Sequence, residues 1–358
     1  MSRFNLAFIG ALAIALFLPS CEDGMTGAEV ETITPAGTTA GEYKVVFSTG
    51  DPDTSAIALM NADGTGLWQI TPSNGFRNIF PVISPDGKRV AFQSLRNRIY
   101  GIHIVNIDGT NAHLLTPDGA TPEWSPDGTR LVYTSQESGN PDLWVINADG
   151  TGKRPLTTSL GRDFNPSWSP DGKSIAFISD REQPNQLRLY VMNADGSNQR
   201  RLTDDDYAGS AFHRPSPWSP DSRRIAYTAG TPGNPGGSAV FVVNVDGTAK
   251  RQLTDIPQEG TGNPCWSPDG KSIAFTSFQA SDMGIFVMMA DGTGRRRITL
   301  QGAPAADNAA WSPGGGHILF VRSGAVMMAD ADGTDVQRIP SDAARRDDYP
   351  RWSPVRIR

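Results

Sequence analysis

Two residue types able to do chemistry recur at a regular spacing in this chain. The string WSPDG stands whole at Trp124–Gly128, Trp168–Gly172 and Trp266–Gly270. Near-copies are ISPDG from Ile83, WSPDS from Trp218, WSPGG from Trp311 and WSPV from Trp352. Each copy offers a serine hydroxyl and most offer a carboxylate, the makings of a nucleophile beside a general acid or base. A serine nucleophile needs a partnered base within hydrogen-bond reach, and four histidines cannot serve seven copies. The same four residues satisfy a turn. Proline presets φ at the second position of a type I turn, aspartate suits the third, and glycine accepts the left-handed conformation that follows. Such a turn with a bulge is a favoured three-residue hairpin connection. The variants SPDS and SPGG keep the proline and relax the other positions, as a turn tolerates and a catalytic device does not.

Other candidate chemistry is sparse. Asp204-Asp205-Asp206 and Asp347-Asp348 offer hard oxygen ligands for calcium, but no Asp-x-Asp-x-Asp-Gly loop with a distal glutamate accompanies them, so they read as solvated acids. No metal and no cofactor is expected. Cys265, just before Trp266, reads as a buried, inert thiol. The glycine-rich GNPGG at Gly233–Gly237 leads into a strand rather than a helix, so it is no phosphate loop. There is no Gly-x-Ser-x-Gly nucleophile elbow, which argues against a serine peptidase of the α/β-hydrolase kind.

The elements that carry these residues are repeats. The tryptophan-position anchors at Ile83, Trp124, Trp168, Trp218, Trp266, Trp311 and Trp352 are 41, 44, 50, 48, 45 and 41 residues apart. A second turn signal alternates with them: NADG at Asn61, Asn147 and Asn193, NIDG at Asn106, NVDG at Asn244, MADG at Met289 and DADG at Asp330. Between the turns lie short β-branched runs such as SIAFIS and RLYVMN, polar runs such as QRRLT, and the segment entering the tryptophan, as in NPSWS. Runs of this length between turn signals predict antiparallel strands. Four strands per repeat of about 45 residues predict propeller blades. One tryptophan per repeat suits the packing between blades. Burying one is worth at most about 4–6 kcal/mol at 25 cal/mol/Å². The basic starts of the last strand (Lys153-Arg154, Arg200-Arg201, Lys250-Arg251, Arg295-Arg296-Arg297) read as protection of an outer edge.

Trp168–Phe177, Leu189–Gly196 and Arg200–Thr203 resemble the TolB-type, WD-like propeller repeats of bacterial envelope proteins. The resemblance runs over about residues 43–353, and it implies the propeller fold. It does not imply TolB itself, whose pattern has an α/β domain before the propeller where this chain has 21 residues. Some seven-bladed members of the wider superfamily are pectate-fragment lyases that hold a divalent metal with a histidine cluster. His103, His113, His213 and His317 fall at different positions in their repeats, against such a cluster here. The ends fix the count. YKVVFS at Tyr43–Ser48 matches a second strand and YPRWSP at Tyr349–Pro354 matches a first strand. Together they complete one blade, giving an all-β, seven-bladed propeller of four-stranded antiparallel blades, with the ring closed by the C-terminal strand.

The first residues, MSRFNLAFIGALAIALFLPSC, have Arg3 and then an apolar run from Leu6 to Leu18, too short to span a bilayer as a helix. They fit a secretory signal, and Leu18-Pro19-Ser20-Cys21 resembles a bacterial lipobox that would make Cys21 the lipidated N-terminus. The expected organisation is a signal over residues 1–20, lipidated cysteine and tether over 21–42, and propeller over 43–354. The chain carries a net charge of −6, against a nucleic-acid partner.

In an up-and-down blade, SPDG and NADG turns share one face. Variable loops occupy the other: Asp180–Gln186, Asp204–Pro217, Ala229–Ser238 and Asp255–Pro264. Binding concentrates on variable loops held by a rigid scaffold, which singles out Tyr207, Phe212, His213 and Arg214 as ligand-binding candidates. The expected function is a monomeric, non-catalytic scaffold in the bacterial envelope. It would touch the outer membrane only through its lipid and bind envelope proteins or glycans. The alternative is a metal-dependent polysaccharide lyase or hydrolase using the central channel.

Overall fold

Runs such as SIAFIS bury both faces because each strand lies between two neighbouring blades. Successive side chains of a strand point to opposite sides, so alternate residues feed alternate interfaces. In Ser174–Ser179, Ile175 and Phe177 pack toward Val132 and Leu143, while Ala176 and Ile178 pack toward Ile225 and Tyr227. The computed structural model describes residues 43–357 except 52, 74, 206–216, 231–236, 255–258, 280–281 and 340–345. The signal, the tether with Cys21 and the candidates Tyr207, Phe212, His213 and Arg214 therefore lie outside the described residues.

The blades follow one plan. Asp163–Trp168, Ser174–Ser179, Arg188–Asn193 and Arg200–Arg201 form one antiparallel sheet, in chain order from inside to outside. The inner strands of the other blades are Arg77–Ile83, Ala120–Trp124, Glu259–Trp266, Ala306–Trp311 and Arg346–Trp352. In the fifth blade the described part of the inner strand is Trp218, bridged to Ile225. Outer strands are short and exposed, most of them two residues long, as edge protection requires. Arg346–Trp352 pairs antiparallel with Lys44–Asp51 and closes the ring. The blades are numbered here from the one this pairing completes.

Seven apolar clusters occupy the seven blade-to-blade interfaces. Each blade supplies one fully buried aromatic ring at the same place in its second strand: Phe47, Phe92, Tyr133, Phe177, Tyr227, Phe275 and Phe320. Several stack on the residue opposite them in the third strand. Phe92 lies 5.6 Å from His103, Phe177 5.5 Å from Tyr190, Tyr227 5.5 Å from Phe241 and Phe275 5.9 Å from Phe286. His103 is thus a core ring. Burial first, then the charge of Arg96, pushes its pKa down to about 4.

Candidate functional site

The serines and aspartates of the SPDG turns are engaged within the turns. Ser125 Oγ donates to Asp127 Oδ1 at 2.5 Å and accepts the Arg130 amide at 3.0 Å; Asp127 Oδ1 also accepts the Thr129 amide at 3.0 Å. The same set recurs around Ser84, Ser169, Ser219 and Ser267. The Ser125 hydroxyl and the Thr129 amide hold the Asp127 carboxyl below its ordinary range. The expected left-handed residue is present, with φ of 69° at Gly128 and 62° at Ser222. The motif is structural.

The tryptophans pack between blades and tie them by hydrogen bonds. Trp124, Trp218, Trp266, Trp311 and Trp352 each donate their indole N–H to a main-chain carbonyl of the preceding blade, those of Val82, Ser167, Pro217, Cys265 and Ala310, at 3.1–3.3 Å. Trp168 Nε1 is buried and finds no acceptor among the described residues. Cys265, 1 % exposed, donates to the Ala309 carbonyl, and burial pushes its thiol up to about 12, so it is no nucleophile.

Around the central channel the inner strands share a bulge that the sequence reading missed. Phe80, Thr121, Asn165, Asn263, Asn308 and Tyr349 have φ between 51° and 69°, and each lies three residues before its blade's tryptophan position. Register shifts mark the same point in each strand pair. Proline follows in five of the six, where the ladder loses no donor that it needs. Bulges re-aim side chains and cluster at functional sites, and a left-handed conformation is costly for bulky or β-branched residues. Phe80 and Tyr349, from adjacent blades, put their ring centroids 4.3 Å apart.

Phe80, Thr121 and Asn165 line a channel cavity with Glu123 and Arg351. The space there is about 10 Å³, room for about one water. Glu123 is half-buried in its strand, and this burial pushes its carboxyl up to about 7, while the charge of Arg351 and a hydrogen bond with Ser167 pull it back. The residues just before the tryptophan positions are Val82, Glu123, Ser167, Pro217, Cys265, Ala310 and Arg351. Aligning the repeats there exposes the only two charges, a signal the sequence reading passed over.

On the variable-loop face, blade four carries two crossed ion pairs. Arg162 meets Asp180 at 2.6 Å and Arg181 meets the fully buried Asp163 at 2.8 Å. Ser159 Oγ also donates to Asp163 Oδ2 at 3.0 Å. Two acids expected to be solvated are not. Asp347 is 0 % exposed; Asp205 accepts the Tyr227 hydroxyl at 2.8 Å and pairs with Lys250 at 3.0 Å. A strand position and an aromatic neighbour, neither evident from a run of acids, took them out of water. Among the described residues no group of three or more His, Cys, Asp or Glu is placed to hold a metal.

A closed ring of four-stranded blades around a channel lined by bulged inner strands defines a β-propeller. The chain belongs to the TolB beta propeller domain family, whose model matches residues 42–234 and 207–357. It is similar to the structure of TolB from Acinetobacter baumannii, at 16 % identity and a TM-score of 0.54, covering 87 % of this chain and 83 % of that one. It is similar also to an oligogalacturonate lyase in complex with manganese, at 16 % identity and a TM-score of 0.61, covering 84 % and 86 %. At these identities the likeness shows the fold alone. In sequence, 117 residues are 30 % identical to dipeptidyl-peptidase 5 of Porphyromonas endodontalis, over 33 % of this chain and 16 % of that protein. The chain's matches span less than half the length of each curated relative.

The expectation of a chain without catalysis is corrected by these relatives. A lyase shares its fold and a peptidase shares its repeat. That expectation rested on the turn serines being structural, on the absence of a nucleophile elbow and on histidines at unlike positions in their repeats. None of these bears on Glu123, a channel carboxyl with an elevated pKa beside Arg351.

Proposed function

We propose that the chain is a recognition propeller of the bacterial envelope that takes its ligand, a protein segment or a glycan, at the channel opening on the variable-loop face. The observation that carries this reading is the ring of left-handed residues. Among the described residues six inner strands hold a left-handed backbone conformation at one level of the channel, costly at Phe80, Thr121 and Tyr349, and two of them place the rings of Phe80 and Tyr349 there in tilted contact, 57° between planes. An aromatic platform beside asparagine amides suits sugar rings and peptide groups alike. The apolar run before Cys21 supports delivery to the envelope by a lipid anchor. The test compares the native protein with Phe80→Ala plus Tyr349→Ala in pull-downs from bacterial envelope extract and on a glycan panel. Loss of the bound species with an intact melting transition is expected; undiminished binding places the ligand elsewhere.

A second reading, cleavage of an acidic polysaccharide in the channel mouth, is favoured by Glu123, a carboxyl with a pKa suited to proton transfer near neutrality, and by the Arg351 cation beside it. Incubating oligogalacturonate with the protein, with and without manganese, and following unsaturated products tests it. Turnover abolished by Glu123→Gln supports catalysis; no product under either condition removes this reading.

A further inference from the structure

On the turn face, three blade junctions repeat one device. Arg89, Arg130 and Arg224 open the second strands of blades two, three and five, and each lays its guanidinium over the tryptophan of the next blade. The guanidinium carbon lies 4.8 Å from the Trp124 ring centroid, 5.1 Å from Trp168 and 4.6 Å from Trp266. At the first of these the seat is complete: Arg89 also donates to the Gly128 carbonyl of the next turn at 3.1 Å and lies 3.8 Å from Asp86 of its own turn. The covered tryptophans are only 3–6 % exposed.

The junction between blades six and seven keeps the seat and lacks its occupant. Asp269 stands where Asp86 stands, Trp311 where Trp124 stands and Gly315 where Gly128 stands. Ser272 replaces the arginine, as Ser174 does at the junction of blades four and five; there the next tryptophan, Trp218, is 2 % exposed, whereas Trp311 is partly exposed and among the described residues no cation lies over it. The turn SPGGG widens the opening further. Gly314 and Gly316 stand where most other turns carry an aspartate and a lysine or arginine, and a Cβ at either would meet nothing within 4 Å. Backbone sterics therefore do not require glycine at these two positions. The result is an open pocket of about 460 Å³ lined by Asp269, Ser272, Arg296, Trp311, Gly314 and Gly315, within the size range of ligand sites.

We propose that this pocket receives, from another polypeptide, the arginine side chain that the sister junctions supply from within. The indole face attracts a cation and favours guanidinium, and Asp269 Oδ2, which faces only the exposed Lys271 Nζ at the long distance of 4.0 Å, supplies the opposite charge. Asp269 Oδ1 is occupied by Ser267 Oγ and the Lys271 amide, just as Asp86 Oδ1 is in the filled seat. Arg296 does not block this. Its guanidinium donates to the Ala331 carbonyl, and its counterpart Arg154 does the same to Asp195 at the junction where Arg130 already covers Trp168. Both cations coexist there.

The experiment titrates fluorotryptophan-labelled protein with a short capped peptide carrying one arginine and reads the Trp311 resonance by fluorine NMR, assigned with Trp311→Phe. A matched peptide with neutral citrulline is the control. The arginine peptide is expected to shift the Trp311 signal saturably in the millimolar range, and citrulline to bind at least 5-fold more weakly, on the order of one cation–π contact. Ser272→Arg restores the side chain found at three sister junctions; it should fold, move the Trp311 resonance by itself and abolish the peptide response. Asp269→Asn should weaken the arginine peptide and leave citrulline unchanged. The proposal is overturned by no saturable shift, by equal response to citrulline, or by a response that survives in a folded Ser272→Arg protein.

Discussion

Val45 and Trp352, from opposite ends of the folded chain, are paired residues in one blade. The Lys44 amide donates to Ser353 Oγ at 2.9 Å and the Ser353 amide to the Lys44 carbonyl at 2.7 Å, which seals the pairing. The first blade is therefore built from both ends. Trp352 packs on Val45, Phe47 and Ala310, while Ile357 packs on Val46 and Ile83, so the terminal segment joins the first blade to both its neighbours.

Deleting Asp347–Arg358 removes that inner strand and uncovers Val45, Phe47 and Val46. The truncated protein is expected to lose its single cooperative melting transition and to bind a hydrophobic dye. A truncated chain that melts as the intact one does would show that the ring holds without its closure.

Arg224→Ala removes the guanidinium over Trp266 and opens at the junction of blades five and six a gap like the one beside Trp311. The expected cost is about 0.5–1 kcal/mol for a partly exposed cation–π contact, with lost packing of the arginine stem added. Chemical denaturation measures the cost, and intrinsic fluorescence should report a more solvated tryptophan. A change below the error of the denaturation curve would mean that the stack does not stabilise the junction.

Thr121 is β-branched and holds φ at 53°, where its counterparts Asn165, Asn263 and Asn308 are asparagines. Asparagine tolerates the left-handed region far better than threonine. Thr121→Asn is therefore expected to stabilise the protein by about 0.5–1 kcal/mol, even after losing the 3.2 Å contact between the Thr121 and Thr134 hydroxyls. Destabilisation in the same assay would mean that the hydroxyl contact outweighs the backbone strain.

Much of this architecture was legible because it is periodic. Seven tryptophan positions and seven alternating DG turns give the blade count, and the two partial repeats at Tyr43 and Tyr349 give the closure. The channel was less legible for two physical reasons. The bulge is a backbone event, and residues as unlike as Phe80, Thr121 and Asn308 adopt it because the strand pairing on either side imposes it. Glu123 and Arg351 are 228 positions apart in the chain, so only the closed ring brings them to one cavity. Comparing equivalent positions across repeats would have marked both as departures. The same comparison shows Ser272 as the missing arginine of its junction.

Glu123 should make stability depend on pH in a direction opposite to that of a salt-bridged acid. Burial raises its folded-state pKa to about 7, against a lower value in the unfolded chain. Between the ordinary glutamate range and pH 7 the folded state therefore binds more protons than the unfolded one, and stability falls as pH rises through that window. Above about pH 7 the cost is constant, with a ceiling of about 3 kcal/mol at 1.36 kcal/mol per unit. Glu123→Gln carries no such cost, so its advantage over the native protein should be small at pH 4.5, grow toward pH 7 and then level off. Arg351→Leu removes the cation that partly offsets burial and should move the window upward. Urea denaturation at a series of pH values measures all three proteins. A stability difference between native and Glu123→Gln protein that does not change from pH 4.5 to pH 8 would mean that Glu123 is charged throughout, solvated by the channel rather than enclosed by it.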